Sequence, residues 1–142
     1  TGVQTCALPI FRAAPQVQSG RDVRMVWSGP FSNEKRLIEF IDALGMADLP
    51  AKVDIYGNGP LEKQALAAIA KHGLGDRVTI QGRVSHAQML QELASAHFLV
   101  QTSVGFETQG LTVYEAGVVG TPSVICDWNI AEDLPQDSCW QV

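Results

Sequence analysis

From Arg24 onward, short unbroken apolar runs alternate with stretches whose apolar residues recur at helical spacing, and this alternation leaves few folds open. Met25-Val26-Trp27 reads as a strand that stops at Ser28-Gly29-Pro30. Asn33 is then placed to cap a helix carrying Leu37, Ile38, Ile41 and Leu44, with Gly45 as its terminator. Val53-Asp54-Ile55-Tyr56 is a second strand, closed by Gly57-Asn58-Gly59. Pro60 stands where a first helical residue tolerates proline, and Leu61, Leu66, Ile69 and Ala70 supply a buried stripe up to Gly73. Val78-Thr79-Ile80 ends at Gly82, and Ser85 with Gln88 has capping-box spacing ahead of Met89, Leu90 and Leu93. Phe98-Leu99-Val100, a polar loop to about Gln109, a short helix from Leu111 to Val119, the turn Gly120-Thr121-Pro122 and the run Val124-Ile125-Cys126 complete the series.

The strands scarcely alternate between apolar and polar residues, as expected when helices cover both faces of a sheet. Strand following helix through short loops predicts an α/β fold with a Rossmann-like, doubly wound parallel sheet. A chain of 142 residues, 46% of them hydrophobic, suits one such domain, placed at residues 24–142 after a poorly defined lead-in over 11–23. Residues Thr1 to Ile10, TGVQTCALPI, match a translated sequencing adapter and are set aside from fold reasoning. That origin implies a broken gene, and the domain is expected to be incomplete at both ends.

The net charge is −5 and the ten Lys and Arg are dispersed, which argues against a nucleic-acid partner, since a phosphate backbone needs a clustered basic face. No apolar run approaches the roughly 20 residues of a membrane helix. Cys6, Cys126 and Cys139 form no C-x-x-C and no metal spacing with His72, His86 or His97. Free thiols in a reducing cytoplasm are the expectation, with no metal.

In an open parallel sheet, ligands bind beyond the carboxyl ends of the strands. Strand one leads there to Gly29 and Lys35, strand two to Gly57-Asn58-Gly59, strand three to Gly82-Arg83, and strand four to Gly105-Phe106-Glu107-Thr108-Gln109-Gly110. A helix starting near Gly110 presents free N–H groups and a positive dipole end, which suit phosphate. Glycines at strand ends are more often turn and cap residues than ligand contacts, and a lysine in a first helical turn is ordinarily solvated. Glu115 is harder to dismiss. It stands among Leu111, Val113, Ala116 and Val118, where a carboxylate is rarely buried without a partner. The three histidines fit structural places, and Trp27, Phe40, Phe98 and Tyr114 read as core.

Glu107 and Glu115, with seven residues between them in GFETQGLTVYEAGVVGTPSVICD, resemble the glutamate pair of retaining glycosyltransferases of the GT-B fold, in particular glycosyltransferase family 4. Glu34-Lys35, VDIYGNGP from Val53 to Pro60, Gly82-Arg83-Val84, and Glu115-Ala116 followed by Gly120-Thr121-Pro122 fall in the matching order over Arg24 to Asp127. The resemblance implies the donor-binding, carboxyl-terminal half of a two-domain enzyme that transfers a hexose-type sugar from a nucleoside diphosphate to an acceptor. By the same resemblance Glu115 holds the ribose hydroxyls and Glu107 the donor sugar. The backbone amides of Gly110, Leu111 and Thr112 cradle the diphosphate, and Gly29, Thr108 and Gln109 also belong to the donor-binding set; Lys35 neutralises the diphosphate as it leaves, and Gly82, Arg83 and Val84 meet the base. Neither cofactor nor metal is implied. The partners are the sugar nucleotide, an unnamed acceptor and the absent acceptor domain. Localisation is cytoplasmic, with any attachment to the inner membrane left to that domain, and these 142 residues alone are expected to transfer no sugar.

One position departs from the pattern. The family usually carries Arg directly after the glycine of the first strand, where this chain has Pro30, so the cradle lacks a cation unless Arg36 or Arg83 supplies it. Two other readings stay open: a GT-B nucleotide-sugar epimerase, decided by acid and base residues of the absent domain, and a non-catalytic nucleotide-binding module. A receiver-type signalling domain would need an acidic cluster after strand one, and Ser28-Gly29-Pro30 offers none.

Overall fold

Each predicted apolar run becomes a strand of one sheet. The computed structural model describes residues 23–105, 111–132, 134 and 139–141. The strands are β1 (Val23–Ser28), β2 (Ala51–Tyr56), β3 (Val78–Gly82), β4 (Phe98–Gln101), β5 (Ser123–Ile125) and β6 (Cys139–Gln141). All neighbouring pairs are parallel, in the order β3-β2-β1-β4-β5-β6. The chain winds outward from β1 first in one direction and then, from β4, in the other. The reversal lies between β1 and β4, where a doubly wound sheet opens a crevice at its carboxyl edge.

Successive residues of a strand point to opposite faces. Trp27, Val53 and Ile55 therefore meet the helices α1 (Leu37–Ala47) and α2 (Glu62–Lys71), whereas Val26, Leu99 and Ile125 meet α3 (His86–Ser95), α4 (Leu111–Val118) and α5 (Trp128–Ala131). Arg24 ties α3 to the sheet. Its guanidinium donates to Asp54 at 2.8 Å, to Glu92 at 2.6 Å and to Ser95. Burial alone would lower its pKa, but the hydrogen bonds to Glu92 and Asp54 hold it above the ordinary arginine value. The other face of β1, β4 and β5 carries an apolar groove of about 360 Å³ along α1, lined in part by Met25, Phe40, Val100, Val124 and Cys126.

Several local expectations are corrected. Asn33 caps no helix; it opens a 3-10 turn (Asn33–Lys35), and α1 starts only after Arg36, whose φ of 56° turns the chain in left-handed geometry. Gly45 terminates nothing and lies inside α1. A Cβ there would stand 2.3 Å from Cγ of His72, so the missing side chain is what lets α2's end lie on α1, where His72 Nε2 meets Asp42 Oδ1 at 2.7 Å. Asp48, with φ 44°, stops the helix instead. Along α2 the buried residues are Ala65, Ala68 and Ile69, with Leu61 partly covered, while Leu66 is 52% exposed and Ala70 is exposed. Small side chains face α1 because the two helices pack closely. Pro60 precedes the helix rather than opening it, as Leu61 is the N-cap. Ser85 caps α3 as its spacing predicts, accepting from the Gln88 amide at 3.2 Å. Tyr114 is not core; it stands exposed on α4's outer side. Strand β6 and helix α5 are additions to the sequence reading.

Among the described residues, Cys126 and Cys139 are free thiols, no group of three or more His, Cys, Asp or Glu could hold a metal ion, and no helix is long and apolar enough to cross a membrane.

Candidate functional site

The strand ends are laced together by backbone before any side chain is considered. Beyond β1, the Gly29 amide donates to the Tyr56 carbonyl at 3.0 Å and the Phe31 amide to that of Asn58 at 2.9 Å; beyond β2, the Gly57 amide donates to Gly82 at 2.9 Å. Gly57 has φ 133° and lies so close to the preceding loop that a Cβ would stand 1.9 Å from the Gly29 carbonyl oxygen. The result is a thin floor to a cavity of about 480 Å³ at the carboxyl edge. Ser28, Gly29 and Pro30 line it from β1, Tyr56, Gly57 and Asn58 from β2, and Arg83, Val84, His86 and Met89 from the approach to α3. The Tyr56 phenol is pushed up to about 12 by burial first and then by its hydrogen bond to Glu92, so it stays protonated in neutral solution.

Lys35 sits behind Gly29: a Cβ on that glycine would be 3.9 Å from the lysine's Cδ. Its turn is fixed from below. The Trp27 indole donates to Thr102 Oγ1 at 2.9 Å, and the Thr102 hydroxyl donates to the Lys35 carbonyl at 2.6 Å. Partial burial pulls the Lys35 ammonium below its ordinary pKa, with Glu34 opposing. A cation already stripped of some water gains more from an incoming anion than a fully hydrated one.

From the opposite side, His86 at the start of α3 reaches Glu115 on α4, with Nε2 to Oε1 at 2.8 Å. That contact ties Glu115, which does not itself line the cavity, to a residue that does. Leu111 is exposed and Thr112 half-buried in the first turn of α4. Gly82 does not line the cavity; with φ 77° it turns the chain from β3 toward Arg83 and accepts from Gly57. Of the two arginines considered in place of the usual one at Pro30, Arg83 lines the cavity and Arg36 does not. Arg36 points to the apolar groove beside Glu39. Glu107, Thr108, Gln109 and Gly110 lie outside the described residues.

Three contributors escaped the sequence reading. His86 and Thr102 give no signal of their own, because each acts through a residue far along the chain. Asp127 does carry one, an acidic residue ahead of a helix, but α5 is too short to show periodicity. Asp127 is buried and accepts from the Gly105 amide at 2.7 Å and the Asn129 amide at 2.9 Å, clamping the loop after β4 to α5. These bonds, Gly105 first, lower its pKa. A depressed folded-state value means that the stabilisation is complete above the unfolded carboxylate value of about 3.9 and fades as pH falls through the folded one. Asp127→Ala is expected to cost roughly 2–3 kcal/mol at pH 7 by urea denaturation, from a lost cap and an orphaned amide. The deficit relative to wild type should shrink in acid below that window; a deficit independent of pH there would refute the assignment.

The family model described as Glycosyl transferases group 1 matches residues 13–137. No curated protein sequence matches. Among solved structures, the lipopolysaccharide outer core galactosyltransferase WaaB in its apo form is 22% identical with a TM-score of 0.67, the match covering 80% of this chain and 32% of that one. HepE from Anabaena, in complex with UDP and glucose, is 21% identical with a TM-score of 0.74, covering 85% and 34%. The catalytic domain of cholesterol-α-glucosyltransferase from Helicobacter pylori is 22% identical with a TM-score of 0.63, covering 84% and 76%. The chain thus spans about a third of the length of the first two.

Proposed function

We propose, for a chain that belongs to the glycosyl transferases group 1 family, that this domain holds the nucleotide half of a sugar donor for a retaining hexosyltransferase of the family 4 type. The observation that carries the reading is the hydrogen bond that holds Glu115 to His86, which lines the cavity with Gly29, Arg83 and Val84 at the carboxyl edge of the sheet. A carboxylate accepts two O–H donors at once, which suits a ribose diol. HepE binds UDP and glucose on the same fold, which supports a nucleoside diphosphate as the ligand class here.

The chemistry is assistance to a leaving group. Cleavage of the anomeric C–O bond leaves a diphosphate with growing negative charge, and donors already aimed at it lower the barrier by about 3–4 kcal/mol per good contact. Lys35, the first-turn amides of Leu111 and Thr112, and Arg83 in place of the missing arginine supply that field; the scheme uses no metal. Glu107, with Thr108, Gln109 and Gly110, takes the donor sugar and the remaining phosphate contacts. The acceptor is met by polypeptide beyond these residues, so the 142-residue chain binds donor without turning it over.

Equilibrium binding of UDP, GDP and ADP tests the reading. Glu115→Ala should weaken the preferred nucleotide by about 10- to 100-fold, the worth of hydrogen bonds to a charged group. Lys35→Ala should weaken the diphosphate while leaving affinity for the bare nucleoside unchanged. Equal affinity in wild type and Glu115→Ala would sink the proposal.

A further inference from the structure

The contact between His86 and Glu115 has no obvious structural purpose. The His86 side chain is 69% exposed and that of Glu115 31%, so neither group needs the other to avoid being buried unsatisfied. Pairs this exposed contribute little to stability. The His86 backbone is nonetheless fixed, since it is the first residue of α3 behind the Ser85 cap, and its side chain lines the cavity beside Arg83 and Val84. Among the described residues it is the hydrogen-bond partner of Glu115, and it engages Oε1. A glutamate otherwise rotates freely about three side-chain bonds, and fixing such a side chain at the moment of binding costs affinity.

We infer that His86 is a positioning residue of the nucleotide site: it anchors one oxygen of Glu115 so that the carboxylate stands ready for a ribose cis-diol before the ligand arrives. The inference rests on the donor-site reading above. Oε1 keeps a second lone pair and Oε2 both of its own, so the anchored carboxylate can still accept two hydroxyls. The consequence is selectivity for ribose over deoxyribose, set by a residue placed to touch the carboxylate rather than the sugar.

The test uses the 142-residue chain, the nucleotide that wild type binds tightest among UDP, GDP and ADP, and its 2′-deoxy counterpart. Wild type should prefer the ribonucleotide, and Glu115→Ala should lose that preference. His86→Ala should reduce it by about three- to tenfold with the thermal midpoint unchanged, the range expected when one side chain must be ordered on binding. His86→Gln, which keeps a donor within reach of Oε1, should restore it. Preference that depends on Glu115 but survives His86→Ala overturns the positioning role alone. Loss in His86→Ala that Gln fails to rescue also overturns it, by assigning the effect to the imidazole's bulk. Failure of wild type to bind any of the three nucleotides overturns the donor-site reading and this inference with it.

Discussion

Replacing Gly57 with alanine is expected to cost about 4 kcal/mol or more, a large share of the usual total stability of about 5–15 kcal/mol for a domain. Two causes add. With φ at 133° the backbone occupies a region that side chains of L-residues avoid at roughly 1–3 kcal/mol. The new Cβ would also fall 1.9 Å from the Gly29 carbonyl oxygen, which is backbone and has no rotamer in which to escape. Relief requires β1's exit loop to part from that of β2, breaking the bonds from Gly29 to Tyr56 and from Phe31 to Asn58. Each buried partner left unpaired costs about 1–3 kcal/mol.

Gly73 supplies the internal comparison. Its φ is 64°, yet a Cβ would meet nothing within 4 Å. Gly73→Ala therefore isolates the conformational term and should cost about 1–2 kcal/mol. Urea midpoints for the two variants separate strain from collision. If Gly57→Ala fell within about 1 kcal/mol of Gly73→Ala, the close approach of the two strand exits would be wrong, and the cavity floor with it.

That comparison also shows which parts of the molecule can be read in the sequence. Met25-Val26-Trp27 and Phe98-Leu99-Val100 announce buried strands because a parallel sheet covered on both faces requires continuous apolar residues. Ser85 and Gln88 announce a helix start because their bond is local. Glu115 stands out because an acid among small apolar neighbours needs a reason. Gly45 misleads for the opposite cause. Its position near a helix end imitates a terminator, whereas its true partner, His72, arrives from another helix. Leu66 misleads because helical spacing locates a stripe but not the side on which the neighbour is thin enough to need alanines. His86, Thr102 and Arg36 are illegible in the same way, as their roles depend on which loops the sheet brings to one edge. The lysine-bearing turn after β1 is thus visible in the sequence as Glu34-Lys35, but what holds it in place is not.

Thr102 is what holds it, and its removal should carry the largest effect of any isosteric change. Thr102→Val keeps the shape and deletes the hydroxyl that accepts from Trp27 and donates to the Lys35 carbonyl. Trp27 is only 1% exposed and Thr102 8%, so water cannot replace the hydroxyl on the indole side. With two groups left unpaired, the cost is expected at roughly 2–4 kcal/mol, approaching the 3–5 kcal/mol of deleting the indole itself in Trp27→Ala. Thr102→Ser retains the hydroxyl and should stay within about 1 kcal/mol of wild type, the worth of one buried methyl. The two effects of Thr102→Val are separable. Urea denaturation reads the stability, and binding of inorganic pyrophosphate, measured where the variant remains folded, reads whether the turn still offers the Lys35 ammonium to an anion. Affinity should fall in Thr102→Val and persist in Thr102→Ser. A valine variant that lost stability but bound pyrophosphate as wild type does would mean that the turn is held by its own 3-10 geometry, and that the relay from Trp27 serves the core alone.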